Sequence, residues 1–288
     1  MIYYIIRSNR NFSNFKMYNN EAFIVSLRIL ATFLARTTNA DDIRPRVIGG
    51  QDADLKEYPY LVMIIIEYFL YNGTKILGRG CTGSLVTEQW VLTAGHCGGK
   101  WIRYADTSVP FEDENMFIRV IKNVPFPNYI NPSRNKDVNL LKLLEKANLT
   151  SCGRISVMDY RSLIGKRAVI IGFGLTYLSA NSKVTGKKYI LDRLHANRSI
   201  PLQRADMVVR ACSKYKLTRH VYDVMGPHIC LAPTCNDRKV QPYFADSGSP
   251  LLVDGYIVGV CSTAHRQNIG YTAISPYLNW MQNIIGKE

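Results

Sequence analysis

No apolar run in this 288-residue chain reaches the roughly 18–20 positions that a bilayer-spanning helix needs, which excludes a polytopic membrane protein. Low-complexity tracts are absent, charged residues make up only 20%, and aromatics reach 11%, so wholesale disorder is excluded as well. None of the seven cysteines is spaced as Cys-x-x-Cys, which argues against a zinc ribbon or a thioredoxin-like centre. Internal repeats, Gly- or Ser-rich linkers and coiled-coil heptads are also missing. Acidic residues are the scarce charge. The 22 Asp and Glu against 36 Lys and Arg leave +14, a balance that suits an anionic partner or solubility alone. With 47% hydrophobic residues, the chain suffices for one large β architecture or two small domains, with a core that needs no metal.

The first forty residues differ from the rest. Residues 1–21 are polar and basic (Arg7, Arg10, Lys16), Ala22–Ala35 is mostly apolar, and Thr38-Asn39-Ala40 supplies small residues of the cleavage-site type. The pattern predicts a signal peptide over 1–40 and a secreted, extracellular protein. Arg28 interrupts the apolar run, which leaves a disordered leader or initiation at Met17 as alternatives. Secretion would make the sequons at Asn72, Asn148 and Asn197 usable for glycosylation.

Beyond Val47 the pattern is of short strands and turns. Tyr60–Tyr68, Trp90–Thr93, Met116–Val124, Val138–Leu144, Ala168–Phe173, Pro250–Val253 and Tyr256–Cys261 are rich in β-branched and aromatic residues and are punctuated by Gly-, Asn- and Pro-containing turns. Two helices are expected. One spans Arg204–Lys214. The other spans 275–287, with Ser275 as N-cap, Pro276 at the first helical position and one apolar face formed by Tyr277, Leu278, Met281, Ile284 and Ile285.

Chemistry-bearing residues fall in three places. Thr93-Ala94-Gly95-His96-Cys97 follows an apolar strand, Asp137 opens another, and Ala245-Asp246-Ser247-Gly248-Ser249-Pro250 is a turn before a third. A serine hydroxyl is a poor nucleophile at neutral pH and needs a neighbouring base. His96 has the side chain whose pKa suits that task and the later return of the proton to a leaving amine. A buried Asp137 would fix the ring's tautomer and stabilise the imidazolium, and Gly248 permits the tight turn that projects Ser247. Each fragment alone is weak, but the chain order His, Asp, Ser at these spacings is specific.

The region from Val47 to the C-terminus resembles the chymotrypsin-like family of secreted serine proteases. The resemblance implies an all-β fold of two six-stranded antiparallel barrels, about 47–155 and 156–274, followed by a C-terminal helix. It implies a catalytic triad of His96, Asp137 and Ser247, with the N–H groups of Ala245 and Ser247 as the oxyanion hole, and an acyl-enzyme formed on Ser247. Arg46-Val47-Ile48-Gly49-Gly50 is similar to the family's zymogen junction. Residues 41–46 would then be an activation peptide, and the Val47 ammonium freed after Arg46 would pair with Asp246. Disulfides Cys81–Cys97 and Cys212–Cys230 match the family. Tyr243 stands in place of a pocket cysteine, and Ala168 and Val253 in place of another pair. Cys152, Cys235 and Cys261 remain, an odd count whose fate stays open.

Substrate-binding positions implied by the resemblance are Gln241, Phe244, Ser262, Thr263 and Ala264. Gln241 occupies the place of the aspartate that trypsin-like members use, so the pocket lacks a counter-charge for Lys or Arg. Ala264 and Ile269 would add bulk, suiting small uncharged residues. Ala245 replaces the family's oxyanion-hole glycine. Either the site tolerates a non-glycine residue at positive φ or the peptide flips and closes the hole. Two functions follow: an active secreted endopeptidase, or a catalytically silent homologue acting as a binding partner or cofactor in a protease cascade. Expected partners are protein or peptide substrates, an activating protease and protease inhibitors. The basic stretch 183–219 reads first as a solvated face, with anionic glycans as the alternative partner. Nucleic acid, a membrane span, a cofactor and a catalytic metal are not expected. Glu112-Asp113-Glu114 falls where some relatives bind calcium and otherwise reads as a solvated loop.

Overall fold

A computed structural model describes residues 50–69, 73, 75–106, 108–129, 136–173, 202–212, 226–234, 242, 245–265 and 268–287. The leader, Arg46, Val47, Cys235, Gln241, Tyr243, Phe244, the sequons at Asn72 and Asn197 and most of the basic stretch lie outside these residues. Asn148 is described and exposed.

A two-residue strand, β1 (Gln51–Asp52), precedes two barrels. The first comprises β2 (Leu61–Phe69), β3 (Lys75–Leu85), β4 (Trp90–Thr93), β5 (Trp101–Tyr104), β6 (Phe117–Pro125) and β7 (Asn139–Leu143), closed in the order β2-β3-β4-β7-β6-β5. The second comprises β8 (Arg167–Gly172), β9 (Gln203–Arg210), β10 (His228–Pro233), β11 (Pro250–Val253), β12 (Tyr256–His265) and β13 (Asn268–Ala273), running β9-β10-β13-β12-β11-β8 and closed by pairing of β8 with β9. Every strand pairing within both barrels is antiparallel, as the sequence predicts. Strand β1 reaches across to extend the second barrel at β9.

Apolar sequence explains most of these strands. Leu61 to Ile65 are all buried, the signature of a strand covered on both faces. Strand β3 was not expected, because Gly78, Gly80 and Gly83 mask its pattern. A Cβ at Gly80 would run into the Ile66 side chain, so glycine there serves close strand packing. The expected helix at Arg204–Lys214 is instead β9 over Gln203–Arg210. Gln203, Ala205, Met207 and Val209 are buried while the residues between them are not, a period of two rather than 3.6. The C-terminal helix α1 spans Leu278–Ile285 and is preceded by a 3-10 turn at Ser275–Tyr277. Ser275 does not cap it: its hydroxyl accepts the backbone N–H of Tyr160 at 3.1 Å.

One hydrophobic cluster fills the first barrel and continues through Leu252, Ile257 and Val260 to Tyr277 and Met281 of the C-terminal segment. Phe126 packs edge-on against Tyr277 and Trp280, so the helix docks back on the first half of the chain. A second cluster fills the second barrel and contains Ala168 and Val253, the apolar replacements for a family disulfide.

Arg103 on β5 is only 1% exposed. Its guanidinium donates to five backbone carbonyls, those of Tyr104, Asp106, Val109, Pro110 and Phe111, at 2.8–3.3 Å. A buried charge is tolerable only when its donors are satisfied in this way. The Glu112-Asp113-Glu114 segment follows this loop, and Asp113 caps a short 3-10 turn, its carboxylate accepting the N–H of Asn115.

Candidate active site

His96 lies just beyond β4, where the turn closes through Cys97 N–H to the Ala94 carbonyl at 2.9 Å. The Cys81–Cys97 disulfide fastens that turn to β3. Asp137 lies two residues before β7, following Lys136 at φ +56°, and its carboxylate is fully buried. The carboxylate accepts the His96 backbone N–H at 2.8 Å and faces the ring Nδ1 at 3.1 and 2.9 Å through its two oxygens. The Ser262 hydroxyl donates to Oδ2 at 2.5 Å. Burial pushes the Asp137 carboxyl up, but the hydrogen bond and charge of His96 and the Ser262 hydroxyl outweigh it, leaving the carboxyl below its ordinary value. An ionised Asp137 therefore assigns the Nδ1 proton to its own hydrogen bond, and the neutral ring's lone pair lies at Nε2.

Gly95 is required by proximity, since a Cβ there would lie 2.9 Å from the Tyr129 ring and 3.0 Å from Asp137 Oδ1. The sulfurs of Cys81 and Cys97 lie near the His96 ring but are joined to each other, so this trio offers no thiolate to a metal.

Ser247 occupies a turn held almost wholly by backbone. The N–H of Ser249 donates to the Asp246 carbonyl at 2.9 Å, and the N–H of Gly248 donates to the Cys261 carbonyl at 2.7 Å. From the first barrel, Thr82 N–H donates to the Ser247 carbonyl at 2.8 Å, and Thr82 Oγ1 donates to the Ala245 carbonyl at 2.9 Å. Gly248 has φ +79°, and a Cβ there would run into Thr93 Oγ1 and the Thr82 carbonyl. The serine turn is thus pressed against the end of β4, the strand that leads into His96. Ala245 is buried and has φ +72°, in the left-handed region.

Asp137 thus meets His96 and Ser262, and the turn carrying Ala245 and Ser247 meets Thr82 and Thr93 of the first barrel. Asp246 is buried, against Gly172. Thr263 and Ala264 continue β12, pairing with Gly270 and Ile269. Gln241, Phe244, Arg46 and Val47 lie outside the described residues. The Cys212–Cys230 disulfide is formed, Cys152 is half-buried without a disulfide, and Cys261 is buried on β12. The sequence reading missed Thr82, which no motif marks apart from its place beside Cys81.

The family model described as Trypsin matches residues 47–281, most of the chain. The chain belongs to the trypsin family of serine proteases. Among curated members, a chymase of Papio hamadryas is 29% identical over 272 residues, covering 91% of this chain and 98% of the chymase. Mast cell protease 2 of Ovis aries is 28% identical over 249 residues, covering 83% of this chain and 90% of the relative. A solved structure titled GrC superposes with a TM-score of 0.60 at 22% identity, over 83% of this chain and 99% of that one, a likeness of fold. Membership of the trypsin family supports a serine endopeptidase acting on protein substrates. No helix among the described residues is long and apolar enough to cross a membrane.

Proposed function

We propose that this chain is a secreted serine endopeptidase, made as a zymogen and activated after Arg46, which cleaves peptide bonds through an acyl-enzyme on Ser247. The observation that carries this reading is the buried Asp137 carboxylate facing His96 Nδ1, with the Ser247 turn bound to the same barrel through Thr82. His96 Nε2 takes the Ser247 proton as Oγ attacks the substrate carbonyl carbon. The N–H groups of Ala245 and Ser247 receive the developing oxyanion, and His96 returns the proton to the leaving amine. Water then repeats the sequence on the acyl-enzyme. Cleavage after Arg46 would free the Val47 ammonium to pair with Asp246, whose burial makes a cationic partner strongly ordering.

The leader supports secretion, and so do the two disulfides, which persist in oxidising compartments. Gln241 supports a preference for small uncharged residues over Lys or Arg at the cleaved position. A catalytically silent homologue is the second reading, favoured by Ala245 in place of the oxyanion-hole glycine and Tyr243 in place of a pocket cysteine. Fluorophosphonate labelling before and after limited cleavage at Arg46 separates the two. The peptidase reading expects labelling of Ser247 that rises on cleavage. An unlabelled processed chain would establish the silent homologue, and equal labelling of intact Arg46→Gln would remove the zymogen step.

A further inference from the structure

Ala245 is a non-glycine residue held at φ +72° beside the candidate nucleophile, a conformation that L-residues with a Cβ populate sparsely. Something must hold it there, and its carbonyl accepts a hydrogen bond from a side chain of the other barrel. Strand β3 pairs with β4 only at Ser84 and Leu85, so at Thr82 its edge has left β4 and faces the serine turn. Thr82 uses its whole polar complement at this edge. Its N–H donates to the Ser247 carbonyl at 2.8 Å, its hydroxyl donates to the Ala245 carbonyl at 2.9 Å, and its carbonyl accepts from Thr93 Oγ1 at 2.9 Å. Thr82 is 1% exposed, so water does not compete for these bonds.

The geometry has a specific consequence. The two anchored carbonyls belong to the peptide units on either side of the one that carries the Ser247 N–H. Fixing both restricts rotation of the unit between them, and fixing the Ala245 carbonyl restricts that residue's ψ. We propose that Thr82 is a positioning residue for acyl transfer: its hydroxyl clamps Ala245 in the left-handed conformation and so aims the N–H groups of Ala245 and Ser247, making a non-glycine residue workable at 245. The proposal rests on the serine peptidase reading above and deepens it.

The test uses the full chain processed after Arg46, a fluorophosphonate probe and crystal structures of the variants. Ser247 Oγ bonds to phosphorus, fluoride leaves, and the serine proton passes to His96. Thr82→Val removes the donor at nearly constant volume and should slow the phosphonylation step about tenfold, leaving the probe's reversible binding unchanged. Thr82→Ser keeps the hydroxyl and should label like the parent. Ala245→Gly should restore the rate in the Thr82→Val background, because glycine needs no clamp at positive φ. In the crystal, Ala245 should leave positive φ in Thr82→Val and keep it in Thr82→Ser. A Thr82→Val protein that retains Ala245 at positive φ overturns the inference, as does a slow one that Ala245→Gly fails to rescue. An unlabelled parent chain in which Ala245 still responds to Thr82→Val would refute the peptidase reading and leave the clamp standing.

Discussion

The two barrels have the same strand count, and among the described residues each is stitched by one disulfide, yet they meet the site in different ways. The first barrel contributes side chains. His96 and Asp137 are fixed by a carboxylate that accepts from a backbone N–H, a ring nitrogen and a hydroxyl. The second barrel contributes a backbone shape. The Ala245–Ser249 turn, which carries Ser247, is defined by two positive φ angles and a set of main-chain hydrogen bonds. A site assembled this way is exposed to two kinds of damage. In one half the wrong atom is fatal, and in the other the wrong dihedral is.

The largest expected effect tests the side-chain half. Asp137→Asn should leave the fold intact and lower kcat by about 10⁴-fold, because the amide would hold His96 in the wrong tautomer. A steady-state comparison with matched circular dichroism checks this, and near-normal kcat would show that Asp137 does not orient the ring. Next comes the backbone half. Gly248→Ala combines positive φ with a Cβ lodged against Thr93 and Thr82, and should cost about 3 kcal/mol or more of unfolding free energy. Gly95→Ala, which meets mainly the edge of the Tyr129 ring, should cost less; denaturant titration of both decides whether the asymmetry is real.

Loss of either disulfide should cost about 3 kcal/mol by loop-closure entropy. Only the paired Cys81→Ala and Cys97→Ala change should also depress turnover, since that bridge fastens the His96 turn. Equal turnover loss from Cys212→Ala with Cys230→Ala would erase the distinction between the barrels. The smallest effect is Ser262→Ala, which removes a hydrogen bond to a buried carboxylate worth roughly 1.5–3 kcal/mol. The Asp137 carboxyl is depressed in the folded state, so its contribution to stability is present above the ordinary carboxylate value and is lost as pH falls through the lowered one. Without the Ser262 hydroxyl that lowered value rises, and the acid loss of stability should begin at higher pH.

This contrast also explains what could be read in the sequence. Strands β4 and β11 match their expected bounds because turn residues flank short apolar runs. The order His96, Asp137, Ser247 could be singled out in the sequence because its chemistry resides in residue type and order, and the fold sets the Asp137 carboxylate against the His96 ring. Other features were not legible, and three show why. Strand β3 is written partly in glycine, which has no side chain to show periodicity. Strand β9 alternates polar and apolar residues too evenly for the helix assigned to it. Thr82 acts through one hydroxyl on a carbonyl 163 residues away in sequence, a relation that only the folded barrels create.

The Arg103 loop carries the same lesson into the protein's dealings with its medium. Five carbonyl oxygens converge there on a guanidinium that is part of the chain. A dissolved ion filling such a cradle would obey mass action, and its occupancy would fall with dilution or with a chelator. A tethered cation has no dissociation constant and no exchange kinetics, and it keeps its proton throughout the physiological pH range. The cation in the loop after β5 is therefore present in one fixed stoichiometry, set by the chain itself.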